Sequence, residues 1–128
     1  MQPSTHLLTN TRLVGSLVRL GPGEATVRLA PTSDMEVDAH GLVHGGFIFG
    51  LADYAAMLAV NDPNVVLGAA ETRFLAPVTR GVTLVAYARV IATIGRKRAV
   101  EVRVDRGDVC VMTGKFTCFV LDAHVLGD

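Results

Sequence analysis

Apolar and polar positions alternate along most of this chain, and in one stretch the alternation gives way to an unbroken apolar run. Residues 12–20 (RLVGSLVRL) and 24–30 (EATVRLA) predict two strands joined at Gly21-Pro22-Gly23, a strong turn signal. A loop rich in Asp, Thr and Ser then runs from Pro31 to about His44. The second half returns to sheet, with strands predicted over 65–78, 82–94, 99–105 and 109–121. In the third of these, Val100, Val102 and Val104 face one way and Glu101, Arg103 and Asp105 the other. Turns at Thr79-Arg80-Gly81, Gly95-Arg96-Lys97 and Arg106-Gly107-Asp108 join them.

The exception is GGFIFGLADYAAMLAVN, Gly45 to Asn61, which predicts a helix closed by Asn61-Asp62-Pro63. A helix apolar on all sides is buried on all sides. Two strands, one helix and four strands therefore predict an α+β fold. Its curved antiparallel sheet of five to six strands wraps around one long buried helix lying across the concave face.

Composition narrows the classes. The 128 residues suit one domain, 1–128, and half of them are hydrophobic, a high share for so small a chain. A domain of this size buries roughly two-thirds of its unfolded surface. The apolar excess implies further burial between subunits. Twelve basic and twelve acidic residues cancel, so no global field draws nucleic acid or an anionic membrane. The opening MQPSTHLLTN has no cationic region followed by an apolar stretch, and no segment reaches the ~20 apolar residues that span a bilayer. A soluble, cytoplasmic protein is expected. Cys110 and Cys118, evenly spaced in one apolar run, are expected on the same face of one strand as buried free thiols.

The helix carries one charge, Asp53. Removing an unpaired carboxylate from water costs several kcal/mol or forces it to protonate. Stability alone would not select it, so it is a candidate for catalysis or ligand polarisation. The alternative is a carboxylate that reaches an interface and meets backbone N–H groups or an Arg. At the helix start, His44-Gly45-Gly46 allows a sharp turn and a close ligand approach. The unsatisfied N–H groups there suit a developing oxyanion.

These residues carry a family resemblance. GLVHGGFIFGLADYAAMLAVN resembles the HGG-x-x-x-x-LAD signature of the phenylacetyl-CoA thioesterase branch of the hotdog superfamily, a relative of the 4-hydroxybenzoyl-CoA thioesterases. ETRFLAPVTRGVTLVAYARV is similar to that family's strand pattern, and the likeness extends from about residue 12 to 121. The resemblance implies a hotdog fold and hydrolysis of an acyl-CoA thioester. It implies that Gly46, or Gly45 beside it, offers its N–H to the thioester carbonyl, and that His44 positions this turn or contacts the thioester. Asp53 would activate water or attack the carbonyl. It further implies a site between two protomers, with Asp53 and the HGG turn contributed by different chains. One position departs from the pattern N-x-x-G-x-x-H-G-G: Asp38 stands where many members carry Asn. An acceptor-only carboxylate there would raise one of two nearby acidic pKa values or face solvent.

Arg96-Lys97-Arg98 is either a solvated strand turn or the capture point for CoA phosphates. Tyr54 could hydrogen-bond across an interface or only pack. Glu71 could pair with Arg73 or face a substrate tunnel. His40 and His44 are four apart, but the glycines around them argue for a loop rather than a metal-binding helix. No P-loop and no nucleophile-elbow serine is present. The sequence thus predicts an acyl-CoA thioesterase that needs no metal or organic cofactor, as a homodimer assembling to a tetramer. The alternative is a non-catalytic acyl-CoA-binding sensor; a hydratase, which pairs His with a carboxylate around a differently patterned helix, fits less well.

Overall fold

Six strands account for the alternating segments, and the helix they enclose is the apolar run. The structure is a computed structural model that describes residues 1–127. The elements in chain order are α1 (Thr11–Val14), β1 (Ser16–Gly21), β2 (Glu24–Leu29), a 3-10 turn (Ser33–Met35), α2 (Gly45–Val60), β3 (Val65–Phe74), β4 (Leu84–Ile94), β5 (Lys97–Arg106) and β6 (Val109–Val120). The sheet is antiparallel throughout, in the order β1-β2-β4-β5-β6-β3. This six-stranded sheet around one long helix is the hotdog architecture.

The core forms where the apolar face of each strand meets α2. Leu51, Ala52, Ala55, Ala56 and Leu58 on the helix, and Val27, Ala86, Val100, Val104 and Phe116 on the sheet, have no exposed surface. Small alanines let the helix settle close to the strands, and burial at roughly 25 cal/mol per Å2 of apolar surface drives it there. The helix lies mainly over β2, β4 and β5. The inner side of β3 is left open. Ala70 and Phe74 face inward, in register with Phe116 and Met112, yet both are exposed. As the last strand of the sheet, β3 also presents an unpaired edge. Among the described residues, no helix is long and apolar enough to cross a membrane.

Three details differ from the sequence pattern. Arg12–Val14, read as strand, is a helical turn started by Asn10, whose side chain accepts the Arg12 N–H. Gly15, at φ 103°, ends that turn and starts the sheet. The third strand stops at Phe74 rather than running to Val78, and the fifth begins two residues early at Lys97. Cys110 and Cys118 do not share a face. The β5–β6 register shifts between Val104 and Asp105, so Met112 stands opposite Val104 and Cys110 opposite Asp105. The extra residue, Val111, reverses the parity. Cys118 is buried and Cys110 is half-buried on the outer face.

Candidate active site

The start of α2 is assembled by hydrogen bonds from both sides. Val43 N–H donates to Val78 O (2.8 Å) and His44 N–H to Met35 O (2.9 Å). With φ −61° and ψ 132°, His44 is the N-cap, and its Nδ1 accepts the Gly46 N–H at 2.7 Å. Capping satisfies one of the helix's orphan donors. It also shows that the Gly46 amide points out of the helix with an acceptor already in place. His44 and Gly46 are exposed and Gly45 is half-buried. Phe74, Leu75 and Leu42 add exposed apolar surface, with the Phe74 ring 3.6 Å from where a Cβ on Gly45 would stand.

Asp53 lies seven positions beyond Gly46, about two turns and roughly 10 Å along the same helix face. Its Oδ1 is shut off from solvent and has no hydrogen-bond partner among the described residues. Burial pushes its carboxyl above the usual range, and the nearby His6 pulls it partly back. His6 is a residue that sequence reasoning missed. The N-terminal segment is pinned along the helix: Ser4 N–H donates to Asn61 Oδ1 (2.7 Å) and Asn61 Nδ2 to Gln2 O (3.0 Å). The buried Thr5 hydroxyl then meets His6 Nδ1 at 2.8 Å. No periodicity in residues 1–10 signals that His6 would come back to a helix some fifty residues on. Cys118 is the second neighbour that was missed. Its thiol is pushed up to about 12, by burial first and the Asp53 charge second.

The other candidates are dispersed. Tyr54 is buried, its ring tilted 6.4 Å from that of His6. Asp38 is exposed, and its Oδ1 accepts the N–H groups of His40 (2.9 Å) and Leu42 (3.3 Å), which closes the loop before His44. Of the two alternatives for Asp38, a raised acidic pKa or a carboxylate facing solvent, its exposure within one chain corresponds to the second, and the Asp53 shift comes from burial and His6. Glu71 lies on the outer face of β3 in register with Lys115, away from the helix. Arg96 pairs with Asp122, and Arg98 Nη1 donates to Gly95 O at 2.7 Å. The Arg96-Lys97-Arg98 turn adjoins Val120, which pairs with Val65 at the start of β3. His44 and Gly45 adjoin Phe74 at its end, so one chain does not bring the basic turn to the HGG turn.

Comparison with known proteins gives this arrangement a family. The model of the thioesterase superfamily matches residues 40–112, from the loop before His44 to the first part of β6. The chain belongs to the thioesterase superfamily. Solved structures agree. An uncharacterized protein of Pyrococcus horikoshii is 54% identical with a TM-score of 0.97, covering 98% of this chain and 97% of that one. A mutant of the phenylacetic acid degradation protein PaaI from Thermus thermophilus is 30% identical with a TM-score of 0.79, covering 87% of this chain and 97% of that one. The curated relatives are longer proteins. Methylthioribose-1-phosphate isomerase of Aquifex aeolicus is 45% identical over 129 residues, covering 100% of this chain and 28% of that protein. Transcription factor FapR of Thermoanaerobacter sp. is 32% identical over 120 residues, covering 93% of this thioesterase-superfamily chain and 60% of FapR. The chain therefore spans less than two-thirds of either.

Proposed function

We propose that this chain hydrolyses an acyl-CoA thioester at a site completed by two copies. The observation that carries this reading is the Asp53 carboxyl oxygen, buried without a partner in an otherwise apolar helix. A carboxylate with a raised pKa is a better base toward water near neutral pH than an ordinary one. Water adds to the thioester carbonyl as Asp53 takes its proton, and the tetrahedral adduct expels CoA as thiolate. If Asp53 itself attacks, an acyl anhydride forms first and water then opens it. The Gly46 N–H stabilises the oxyanion. His44 Nδ1 now occupies the acceptor position 2.7 Å from that amide. The thioester oxygen takes its place when the imidazole turns aside.

Gly46 and Asp53 of one helix are about 10 Å apart, too far to act on one carbonyl carbon. A two-fold axis beside the open edge of β3 lays two helices antiparallel, so that Gly46 of each chain approaches Asp53 of the other. The exposed Ala70, Phe74 and Leu75 are the surface such a partner covers. Lys97 and Arg98, neither of which makes an ion pair among the described residues, are then the cations available for the CoA phosphates.

The test is release of CoA thiol from short-chain, long-chain and aromatic acyl-CoAs by wild type and Asp53→Asn. Turnover that falls roughly a hundred-fold or more in the variant supports the reading. The match to FapR favours a second reading, an acyl-CoA sensor without turnover. Tight acyl-CoA binding by calorimetry with no thiol release from any substrate would replace the enzyme by the sensor.

A further inference from the structure

The chain reaches its first strand by way of the central helix. Ser4 is held at the C-cap of α2, its N–H donating to Asn61 Oδ1 (2.7 Å) and its hydroxyl to Asn61 O (2.8 Å). His6 lies beside Tyr54, with ring centroids 6.4 Å apart. Val14 ends the segment against Gly50, 3.9 Å from where a Cβ on that glycine would stand. These contacts lay residues 4–14 along α2 as an antiparallel strap, from the end of the helix back to its second turn.

Tying the chain end down needs only the first and last of these contacts. The middle one is built with more care. His6 has φ 53°, a left-handed backbone that a residue with a Cβ adopts reluctantly. Glycine would make the same bend without strain. Thr5 is buried, and its hydroxyl meets His6 Nδ1 at 2.8 Å. That contact fixes the imidazole and leaves Nε2 as its free nitrogen. A strained backbone holding a fixed, titratable ring points to a use for the ring.

Asp53 precedes Tyr54 on the helix, and few groups around it titrate. From β6 comes Cys118, whose thiol is pushed up to about 12, by burial first and Asp53 second, and so stays neutral. From the helix comes Tyr54 itself. The inner positions of β3, in register with Cys118, Phe116, Gly114 and Met112, are Leu67, Ala70, Thr72 and Phe74, and none of them titrates. Among the described residues His6 is therefore the group that can bring a positive charge to Asp53. Burial pushes that carboxyl up and His6 pulls it back. The imidazole also reaches solvent where the carboxyl oxygen does not. His6 is half-buried and lines a cavity of about 300 Å3 with Thr5, Pro63, Val65 and His124, whereas Asp53 Oδ1 is shut off.

We propose that the strap belongs to the active site and delivers His6 to Asp53 as its positioning residue. His6 acts through Asp53 and not on the thioester. In apolar surroundings a carboxylate protonates early as pH falls, and a protonated acid takes no proton from water. Imidazole gains its charge on the same acid side of neutrality. His6 thus becomes a cation where Asp53 most needs one, and the base stays ionised to lower pH. Its part in turnover rests on the hydrolysis proposed above; the pairing of the two groups does not.

The experiment compares wild type with His6→Asn, an uncharged residue that tolerates the left-handed backbone. The Asp53 carboxyl carbon is followed by carbon-13 NMR from pH 4 to pH 9, assigned with Asp53→Asn. Thiol release gives kcat/KM over the same range, with the fastest substrate of the short-chain, long-chain and aromatic acyl-CoAs. In His6→Asn the carboxyl midpoint and the acid limb of kcat/KM both move to higher pH. The rate falls several-fold at pH 5.5 and stays within about two-fold of wild type at pH 8.5. A histidine that served only the fold would lower the rate equally at every pH. Thr5→Val frees the imidazole without removing it and moves the midpoint the same way, so a poorly folded His6→Asn does not end the test. An unmoved midpoint in both variants overturns the proposal, as does a loss of rate that is uniform in pH. A midpoint that moves in a protein with no turnover on any acyl-CoA would sink the hydrolysis and uphold the pairing of His6 with Asp53.

Discussion

At the scale of single residues, the role proposed for Asp53 sets function against stability. Its folded pKa is raised, so the fold binds the proton more tightly than the unfolded chain does. That contribution is complete below the unfolded carboxylate range and is lost as pH rises through the folded value. At neutral pH the buried charge therefore destabilises. Asp53→Asn is expected to unfold at a higher temperature than wild type at pH 7.5, with the gain shrinking toward pH 4, while thiol release is lost. Thermal melts of both proteins across that range decide it, and a pH-independent gain would contradict the buried charge. Cys118 gives a second residue-level test. With its thiol held at about 12 and fully buried, it should resist alkylation at pH 8 in the native protein and react in denaturant. Peptide mapping after labelling distinguishes it from Cys110.

At the scale of elements, the important joints are those where the chain changes direction. The His44 cap holds the first turn of α2, and His44→Ala should cost roughly 0.5–2 kcal/mol in urea unfolding. Gly15 separates α1 from β1. A Cβ there would sit 2.8 Å from the Arg28 backbone oxygen, besides adopting φ 103°. Gly95, in the β4–β5 turn, has φ 59° and open space around it. Gly15→Ala should therefore destabilise by clearly more than Gly95→Ala, whose cost is the ~1 kcal/mol of a left-handed backbone alone. Equal losses would mean that the close approach to β2 is not what requires a glycine at 15.

At the scale of the whole molecule, the proposed site belongs to a pair of chains. Gly46→Pro removes the N–H in the first helical turn, where proline is tolerated. Mixed with Asp53→Asn under subunit exchange, it should restore activity although each variant alone is inactive. Half of random dimers are mixed, and one of their two sites is intact, so roughly a quarter of wild-type turnover is expected. No recovery after verified exchange would return both groups to one chain.

Much of this protein was legible in its sequence, because the signals are local. Period-two alternation marks strands, an apolar run of seventeen residues marks a buried helix, and one carboxylate within it marks Asp53. HGG spaced from LAD marked the family, as the match over residues 40–112 bears out. Tertiary structure decided what depends on pairing between distant segments. One extra residue at Val111 turned Cys110 to the outer face, and no local pattern announces a bulge. The fold of the N-terminal segment brought His6 to Asp53, and the order of the strands put the basic turn at the far end from His44. Alternation says which face a side chain takes. Only the assembled sheet says which residues become its neighbours.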